Sequence, residues 1–435
     1  MKKILSLVVV LSVIITLTAC GEGTENKPDP DKEPSSTNSP SNEQPDSHSP
    51  EPNAHLTVWA SKEELTYVNA MSVQFTQLHD IPVVVQEVGA GDVLNKLTTD
   101  GPAQIGADLV TLTHDHLGEA VAAGLLLPND IWQDETKRNN QENVLQAASY
   151  GNILYGYPLS LETYVMFYNK KLVSTPPSTF DEVIDFAKTY NDPGKGKFSL
   201  MWEMENLYFN YFFLATTGGY IFGNKGVNYN DIGINSEGAI EGAAYYGSLR
   251  DKLLPLKSGD VTYDIKKGQF LDGSLAMNID GPWLIRELRA QGNTFGAAPI
   301  PSINGKPSVS LSSVKAWYVN SYSKYPNAAK LFANFASSKE SQLKNFQLTG
   351  AVPSNLDAMK DPAVQQDEFV SAIIKQIEFS QPMPSIPEMG SVWIPVNSAM
   401  SDIWNKGVDA KQALDKAAGQ IKDSIAVGSS GGGSL

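Results

Sequence analysis

The chain has 435 residues and a formal net charge of −15, with 41% hydrophobic and 19% charged residues. This length predicts at least two lobes with ample core. The acidic balance excludes a nucleic-acid-binding protein, because neutralising phosphates requires a basic face. Beyond the N-terminus no apolar run approaches about 20 residues, which excludes a polytopic membrane protein. The single cysteine, Cys20, excludes a disulfide within the chain.

The N-terminus predicts export. Two lysines precede an apolar segment over residues 4–17, which is typical of a signal peptide covering residues 1–19 and is too short for a membrane-spanning helix. The sequence Leu-Thr-Ala-Cys ending at Cys20 resembles the lipobox of bacterial lipoproteins, which implies cleavage before Cys20 and lipid on its thiol. We expect an exported protein anchored to the outer face of the cell membrane, because the two acyl chains of a diacylglycerol give a stable membrane anchor. The alternative is a plain signal peptide with an incidental cysteine.

Residues 20–54 predict a disordered tether between this anchor and the folded body. Seven prolines lie there among Ser, Asn, Asp and Glu, without an aromatic residue. Such a segment buries too little apolar surface to offset its chain entropy. At the other end, residues 426–435 predict a flexible Gly/Ser tail, either natural or added during cloning.

The body alternates strands with helices and so predicts the α/β class. Strands are expected over residues 56–59, 81–85, 108–112 and 275–279, and helices over residues 63–78, 92–99, 116–123, 206–217, 237–252, 264–270, 327–337 and 402–425. This alternation indicates βαβ units and a mainly parallel sheet. Ligands of such sheets gather at the carboxyl ends of the strands.

Short motifs for enzymes and metals are present but poorly placed. Ser312-x-x-Lys315 matches one motif of penicillin-recognising serine enzymes and Lys257-Ser258-Gly259 resembles another, yet their order along the chain is reversed. His114 and His116 are residue types that bind zinc, but on a strand-to-helix turn they would point apart. We therefore predict no metal and no cofactor.

A secreted glycoside hydrolase is the alternative function that the residues alone leave open. Asp115, Glu162 and Glu205 lie near predicted loop ends, where paired carboxylates could act as acid and nucleophile. No spacing in the chain singles out one such pair.

The aromatic residues divide into core and candidate site residues. Phe209, Phe212 and Phe213 lie within one predicted helix, and we expect them in the core. Trp283 and Trp393 lie beside Gly and Pro, and we expect them in an exposed wall of a binding site. Aromatic planes suit sugar rings, which have an apolar CH face and polar edges.

An ordered set of motifs resembles the substrate-binding proteins of bacterial carbohydrate ABC importers, and most closely the maltose/maltodextrin-binding proteins. The resemblance covers about residues 55–424, and its motifs are Gly101-Pro102-Ala103, Ala107-Asp108-Leu109, His114-Asp115-His116-Leu117-Gly118, Tyr157-Pro158-Leu159-Ser160-Leu161-Glu162, Phe167-Tyr168-Asn169-Lys170, Pro176-Pro177-Ser178-Thr179-Phe180-Asp181-Glu182, Leu207-Tyr208-Phe209, Gly218-Gly219-Tyr220, Asn278-Ile279-Asp280-Gly281-Pro282-Trp283 and Met383-Pro384-Ser385-Ile386-Pro387.

The resemblance implies a periplasmic-binding-protein-like fold, with two α/β lobes, helices on both sheet faces and a ligand cleft between the lobes. It implies an N-terminal lobe over residues 54–160 and 315–357 and a C-terminal lobe over residues 161–312 and 358–425. It also implies three hinge crossings, near residues 159–161, 311–314 and 355–358. Ligand would close the cleft, and the closed form would engage a membrane permease.

The resemblance implies a non-catalytic, monomeric, lipid-anchored receptor that delivers a maltose- or maltodextrin-type oligosaccharide to an ABC importer. A related receptor for a different oligosaccharide or a polyol is the other alternative.

The resemblance also implies roles for individual residues. Asp115 and Glu162 match carboxylates that accept bonds from sugar hydroxyls, and Tyr208, Trp283 and Trp393 match stacking platforms.

Further candidates come from the same comparison of motifs. Glu63 matches an additional acidic contact. His116, Asn206 and Asn397 stand where well-studied members have Arg, an acidic residue and Arg. Leu112 and Ile394 likewise replace a Trp and a Tyr, so the outer contacts are thinned while the central ones remain.

Overall fold

Strands and helices alternate along the computed structural model, which describes residues 48–431 and the side chains of residues 48–427. The predicted signal peptide, Cys20 and most of the predicted tether lie outside the described residues. The strands are β1 (Leu56–Ala60), β2 (Val83–Glu87), β3 (Leu109–Thr113), β4 (Leu126–Leu127), β5 (Ser149–Tyr150), β6 (Ile153–Leu154), β7 (Tyr157–Thr163), β8 (Val165–Asn169), β9 (Phe198–Met201), β10 (Asn228–Ile232), β11 (Leu275–Asp280), β12 (Phe295–Ala298), β13 (Ser310–Asn320), β14 (Val352–Pro353) and β15 (Ser380–Pro382).

The helices pack around these strands. They are α1 (Leu65–His79), α2 (Val93–Asp100), α3 (Leu117–Ala122), α4 (Gln133–Asn139), α5 (Glu142–Ala147), α6 (Phe180–Tyr190), α7 (Leu207–Thr216), α8 (Gly223–Gly226), α9 (Glu237–Lys252), α10 (Tyr263–Asp272), α11 (Ile285–Ala290), α12 (Pro326–Ala336), α13 (Lys339–Thr349), α14 (Leu356–Met359), α15 (Pro362–Gln365), α16 (Glu368–Ile377), α17 (Trp393–Lys406) and α18 (Ala410–Gly431). Among the described residues, no helix is long and apolar enough to cross a membrane.

The two main sheets are mixed, so the prediction of mainly parallel sheets is wrong in this detail. The larger sheet has the order β14-β7-β13-β3-β1-β2, and β4 and β15 also pair with β13. Strands β1, β2 and β3 are parallel, as the βαβ pattern predicts, but β13 runs antiparallel to β3 and β7. The smaller sheet has the order β12-β8-β11-β9, and only its β11–β9 pair is parallel. The antiparallel strands come from distant parts of the chain, which local periodicity does not reveal.

Separate hydrophobic clusters cover the two sheets. The larger sheet has one cluster on each face: Trp317 and Val319 of β13 lie in the first, and Ala316 and Tyr318 lie in the second. This alternation follows from the two-residue period of a strand. A third, larger cluster surrounds the smaller sheet together with α7, α9, α17 and α18. Phe209, Phe212 and Phe213 lie in it, which confirms them as core residues.

Strands β7 and β13 run from one cluster into another where hinge crossings are predicted. In β7, Leu159 belongs to a cluster of the larger sheet, whereas Leu161 packs against the cluster of the smaller sheet. In β13, Leu311 belongs to the cluster of the smaller sheet and Trp317 to one of the larger sheet. The two strands pair side by side, so both connections pass through one place.

The folded body begins a few residues before the predicted boundary at residue 54. The Glu51 carboxylate accepts hydrogen bonds from the backbone N–H groups of Asn327 and Ala328, at 2.8 and 3.1 Å. These groups lie in the first turn of α12, where unpaired N–H groups favour a carboxylate. Ala54 is buried. The last residues of the predicted tether are therefore attached to the body.

The C-terminal region also differs from its prediction. The helix expected over residues 402–425 is two helices, because Gly407 adopts a left-handed φ of 64° and ends α17. The second of them, α18, continues through Gly431, well into the predicted flexible tail at residues 426–435. Extending an established helix by one residue costs little, so Ala426 and Val427 prolong it.

Candidate functional site

A cavity lies between the larger sheet and the turn after β11. On the sheet side it is lined by the segment after β1 and by strands β7 and β13. About 390 Å³ of space lies within it, open solvent at its mouth included. Glu63, Glu64, Ser160, Glu162 and Lys315 line it from the side of the larger sheet. Pro282 and Trp283 line it from the opposite side, and Asn345, Thr349 and Ala351 complete it.

Asp115 lies in the turn that follows β3, and its carboxylate is buried. One oxygen, Oδ2, lies 3.8 Å from Nε2 of the partly exposed His116. The other, Oδ1, has no hydrogen-bond partner among the described residues. A buried acceptor without a partner costs free energy, so it favours a ligand that donates a hydrogen bond.

Tyr208 lies near the carboxylates of Asp115 and Glu162. Burial, followed by the acidic groups of Glu162, Tyr164 and Asp115, raises the pKa of Tyr208 well above its usual value, so the phenol stays neutral. Its hydroxyl is a second buried polar group without a hydrogen bond of regular geometry in the described part of the chain, although Ser313 lies near enough to oppose this rise in pKa. The ring centroid lies 6.4 Å from that of Trp283. Tyr208 therefore joins the carboxylates of the larger sheet to the aromatic wall.

The Trp283 indole is held close to the backbone of the turn after β11. A Cβ atom at Gly281 would lie 2.2 Å from the indole ring, so only glycine allows this close approach. The edge of Phe209 also supports Trp283, with centroids 6.3 Å apart and planes inclined by 78°. Trp283 is partly exposed and lines the cavity, which agrees with its predicted place in a site wall.

A buried lysine that the motif reading missed connects two carboxylates at the cavity. The Lys315 Nζ lies 3.5 Å from an oxygen of Glu64 and 3.5 Å from an oxygen of Glu162. Burial alone would lower the pKa of Lys315, but the charges of Glu162 and Glu64 outweigh it and hold that pKa above its usual value. The ammonium is therefore charged and neutralises part of an acidic site.

Glu64 is the second residue that sequence reasoning missed, because the loose motif match favoured its neighbour Glu63. Both line the cavity, but Glu64 is the more buried. Its Oε2 accepts hydrogen bonds from the backbone N–H and hydroxyl of Ser61, at 3.1 and 2.8 Å, and from the Thr111 hydroxyl at 3.1 Å. The signal in the sequence that could have identified Glu64 is a pair of adjacent acidic residues just after a predicted strand.

The remaining predicted residues lie around the start of α7 and α17. The Asn206 side chain accepts a hydrogen bond from Tyr208 N at 3.0 Å and caps α7. The Asn397 side chain accepts one from Leu207 N at 2.6 Å. Both amides thus fix the helix that carries Tyr208. Trp393 begins α17, partly buried against the cluster of the smaller sheet. Like Asp115, His116 and Tyr208, it is not among the described residues that line the cavity.

Both ring nitrogens of His114 form hydrogen bonds within the protein, so His114 does not share a metal site with His116. Its Nδ1 accepts a hydrogen bond from Val314 N at 3.1 Å, and its Nε2 donates to the Met383 carbonyl at 2.8 Å. Both ring nitrogens are therefore occupied, and the partners require the neutral Nε2–H tautomer. Within the described residues, no group of three His, Cys, Asp or Glu side chains could hold a metal ion.

We predict that His114 makes stability fall below about pH 6.5. Burial lowers the pKa of His114 despite the nearby Asp115. Below about pH 6.5 the unfolded chain binds a proton at His114 more readily than the folded chain does. The contribution of neutral His114 to the free energy of unfolding is therefore complete above the unfolded pKa of about 6.5 and is lost as the pH falls below it. His114→Gln can make similar hydrogen bonds without titrating. Urea unfolding should show wild type losing more stability than His114→Gln between pH 6.5 and 5.5, by at most about 1 kcal/mol. Equal losses would contradict this assignment.

An α/β body whose carboxylate and aromatic side chains converge on one cavity defines a small-molecule-binding protein. The chain belongs to the family of bacterial extracellular solute-binding proteins, whose family model matches residues 70–371. The prediction of a non-catalytic receptor is thereby confirmed over that of a glycoside hydrolase.

Individual members of this family resemble the chain over nearly its whole length. A galactooligosaccharide-binding protein of Bacillus subtilis is 33% identical over 97% of this chain and 98% of its own. A maltooligosaccharide ABC transporter solute-binding lipoprotein of Streptococcus pneumoniae is 29% identical over 98% of this chain and 97% of its own. The crystal structure of MalX from Streptococcus pneumoniae in complex with maltopentaose superposes with a TM-score of 0.80, at 29% identity, over 85% of this chain and all (100%) of that one. The α/β periplasmic-binding-protein fold is thereby confirmed.

Proposed function

We propose that the protein is a receptor for maltodextrin-type oligosaccharides that delivers them to an ABC importer. The observation that carries the proposal is two buried polar atoms without a regular hydrogen bond in the described residues, Asp115 Oδ1 and the Tyr208 hydroxyl, with the Tyr208 ring 6.4 Å from the Trp283 indole. A sugar supplies what this arrangement lacks. Its hydroxyls donate to the carboxylate and accept from the phenol, and its CH face covers the indole.

The remaining site residues have roles that extend this proposal. Glu162 accepts from a further hydroxyl, and Glu63 lines the same cavity. Trp393 adds a second platform, while Asn206 and Asn397 act through the start of α7. His116 stands next to Asp115 at the rim.

Cleft closure is part of the proposal, with the lobes at residues 54–160 plus 315–357 and 161–312 plus 358–425. Three contacts that join these lobes support a closed arrangement. His114 bonds to the Met383 carbonyl, and Arg286 donates to the Thr66 hydroxyl at 2.9 Å. In addition, a Cβ at Gly118 would lie 2.3 Å from the Ser385 carbonyl oxygen, so the lobes touch closely there. A permease that recognises the closed form would thus recognise the loaded receptor.

Anchoring by lipid on Cys20 is also proposed, with the tether holding the body away from the membrane. The lipobox-like sequence supports it, and so does the pneumococcal relative that is named a lipoprotein. Mass spectrometry of the exported protein should find diacylglycerol on Cys20 as the first residue. An unmodified Cys20, or cleavage elsewhere, would contradict the anchor.

A galactooligosaccharide is the second candidate ligand, because the Bacillus subtilis relative named for that ligand covers 97% of this chain at 33% identity. Replacement of the outer aromatic contacts by Leu112 and Ile394, and of the outer basic contacts by His116 and Asn397, fits a site that differs from well-studied maltodextrin receptors.

A thermal-shift panel tests the ligand class. Ligand at a hundred times its Kd adds about 2.7 kcal/mol of stability, which gives a clear rise in Tm. We expect maltotriose and maltotetraose to raise Tm, and cellotriose and sorbitol to leave it unchanged. A rise with galactotriose alone would transfer the assignment to galactooligosaccharides. No rise with any of these sugars would contradict the proposed function.

A further inference from the structure

Lys315 lies at an irregularity in the central strand of the larger sheet. The pairing of β13 with β7 shifts register between Lys315 and Ala316, where Lys315 opposes Ser160. On its other side Lys315 opposes Thr113 of β3. The extra residue of this bulge is Leu159 of β7, and bulges occur often beside functional sites. Lys315 faces this bulge from β13. Here the side chain is 12% exposed and lines the cavity.

The lysine is the middle member of a chain of polar contacts. Ser61 and Thr111 fix one oxygen of Glu64, and the other oxygen of Glu64 faces the Lys315 ammonium at 3.5 Å. The ammonium in turn faces Glu162 Oε1 at 3.5 Å. The contacts therefore lead from the rigid start of α1 to the carboxylate of β7.

Glu162 depends on this chain for its orientation. Its Oε2 accepts from the Ser313 hydroxyl at 3.2 Å, and the lysine accounts for its other oxygen. Glu64 and Glu162 are both buried carboxylates on the same lysine, so without a cation they would repel each other.

We propose that Lys315 is a positioning residue that holds the Glu162 carboxylate toward the ligand. This inference rests on the proposed function, in which Glu162 accepts from a sugar hydroxyl. Lys315 acts through Glu162, which lies on the neighbouring strand β7 two residues beyond Ser160, the residue opposite Lys315.

Lys315→Met should weaken maltotriose binding at least about tenfold in calorimetry, because Glu162 loses its charged partner. Lys315→Arg keeps the cation and should bind within about threefold of wild type. Lys330→Met is the matched control, since Lys330 is also a buried lysine paired with an acid, Asp130, but does not line the cavity. It should lower Tm and leave Kd unchanged. Wild-type Kd in Lys315→Met would overturn the proposal.

A double variant and a crystal structure keep the test decisive if Lys315→Met does not fold. Lys315→Met with Glu64→Gln removes one acid together with the cation, so less unbalanced charge is buried. Binding should remain weakened about tenfold, and recovery would overturn the proposal. In a sugar-free crystal structure of whichever Lys315→Met variant folds, the Glu162 carboxylate should no longer accept the hydrogen bond from the Ser313 hydroxyl. An unchanged Glu162 side chain would overturn the positioning role. If wild type binds no sugar, the proposed function fails, and this structure still decides the role of Lys315.

Discussion

Lys266→Met is expected to lower the free energy of unfolding by about 3–5 kcal/mol, the largest stability effect of any substitution proposed for this protein. Lys266 and Asp280 form an ion pair in which both side chains are completely buried, at 0% exposure. The ammonium also donates to Asn278 Oδ1 at 3.3 Å, and Asp280 accepts from Gly281 N at 2.9 Å. Removing the lysine leaves an uncompensated buried carboxylate at the base of the Trp283 turn.

Charge balance is the reason for this effect, and a double variant separates it from lost packing. Lys266→Met with Asp280→Asn removes both charges, so urea unfolding should show it to be clearly more stable than the single variant. Lys411→Met is the control, because Lys411 pairs with Asp415 on the surface of α18 and should cost little. A single variant within about 1 kcal/mol of wild type would contradict the importance of the pair.

Trp283→Ala is expected to raise the Kd for maltotriose by roughly 30- to 150-fold, or about 2–3 kcal/mol of binding free energy. The indole is the part of the cavity wall that offers a flat apolar face, and Phe209 and Gly281 hold it in place. A sugar ring loses that face with the substitution, while the carboxylates that accept from its hydroxyls remain.

Calorimetry with Trp132→Ala as the control makes this result specific. Trp132 is also a partly buried tryptophan, but it packs against a cluster of the larger sheet and does not line the cavity. Its loss should reduce Tm without changing Kd. If Trp283→Ala binds like wild type, Trp283 is not a platform for the ligand.

Local sequence pattern predicts the single elements well. The helix expected over residues 237–252 has those bounds, and α7 and β11 lie within a residue of their predictions. In each case the apolar spacing and the capping residue are local, as with Asn206 before α7. The mixed sheets escaped prediction because β13 joins strands that lie about 150 to 200 residues away along the chain.

The candidate site was predictable where a motif and a strand end coincide. Asp115 follows β3 and Trp283 follows β11, so both lie just after the carboxyl end of a strand, where ligands of α/β sheets gather. Lys315 was recognisable only as part of an apparent Ser-x-x-Lys motif, because its partners Glu64 and Glu162 come from other strands and helices. Its position opposite the bulge in β7 depends on the pairing of β7 with β13, which sequence pattern does not encode locally.

Titration calorimetry of the protein with maltotriose tests the central claim, that this is an oligosaccharide receptor, most directly. We predict saturable one-to-one binding with a Kd of roughly micromolar order, or about −8 kcal/mol, and no shorter sugars in the cell afterwards. An absence of binding heat with millimolar maltotriose and with galactotriose, or continuous heat accompanied by hydrolysis products, would contradict the claim.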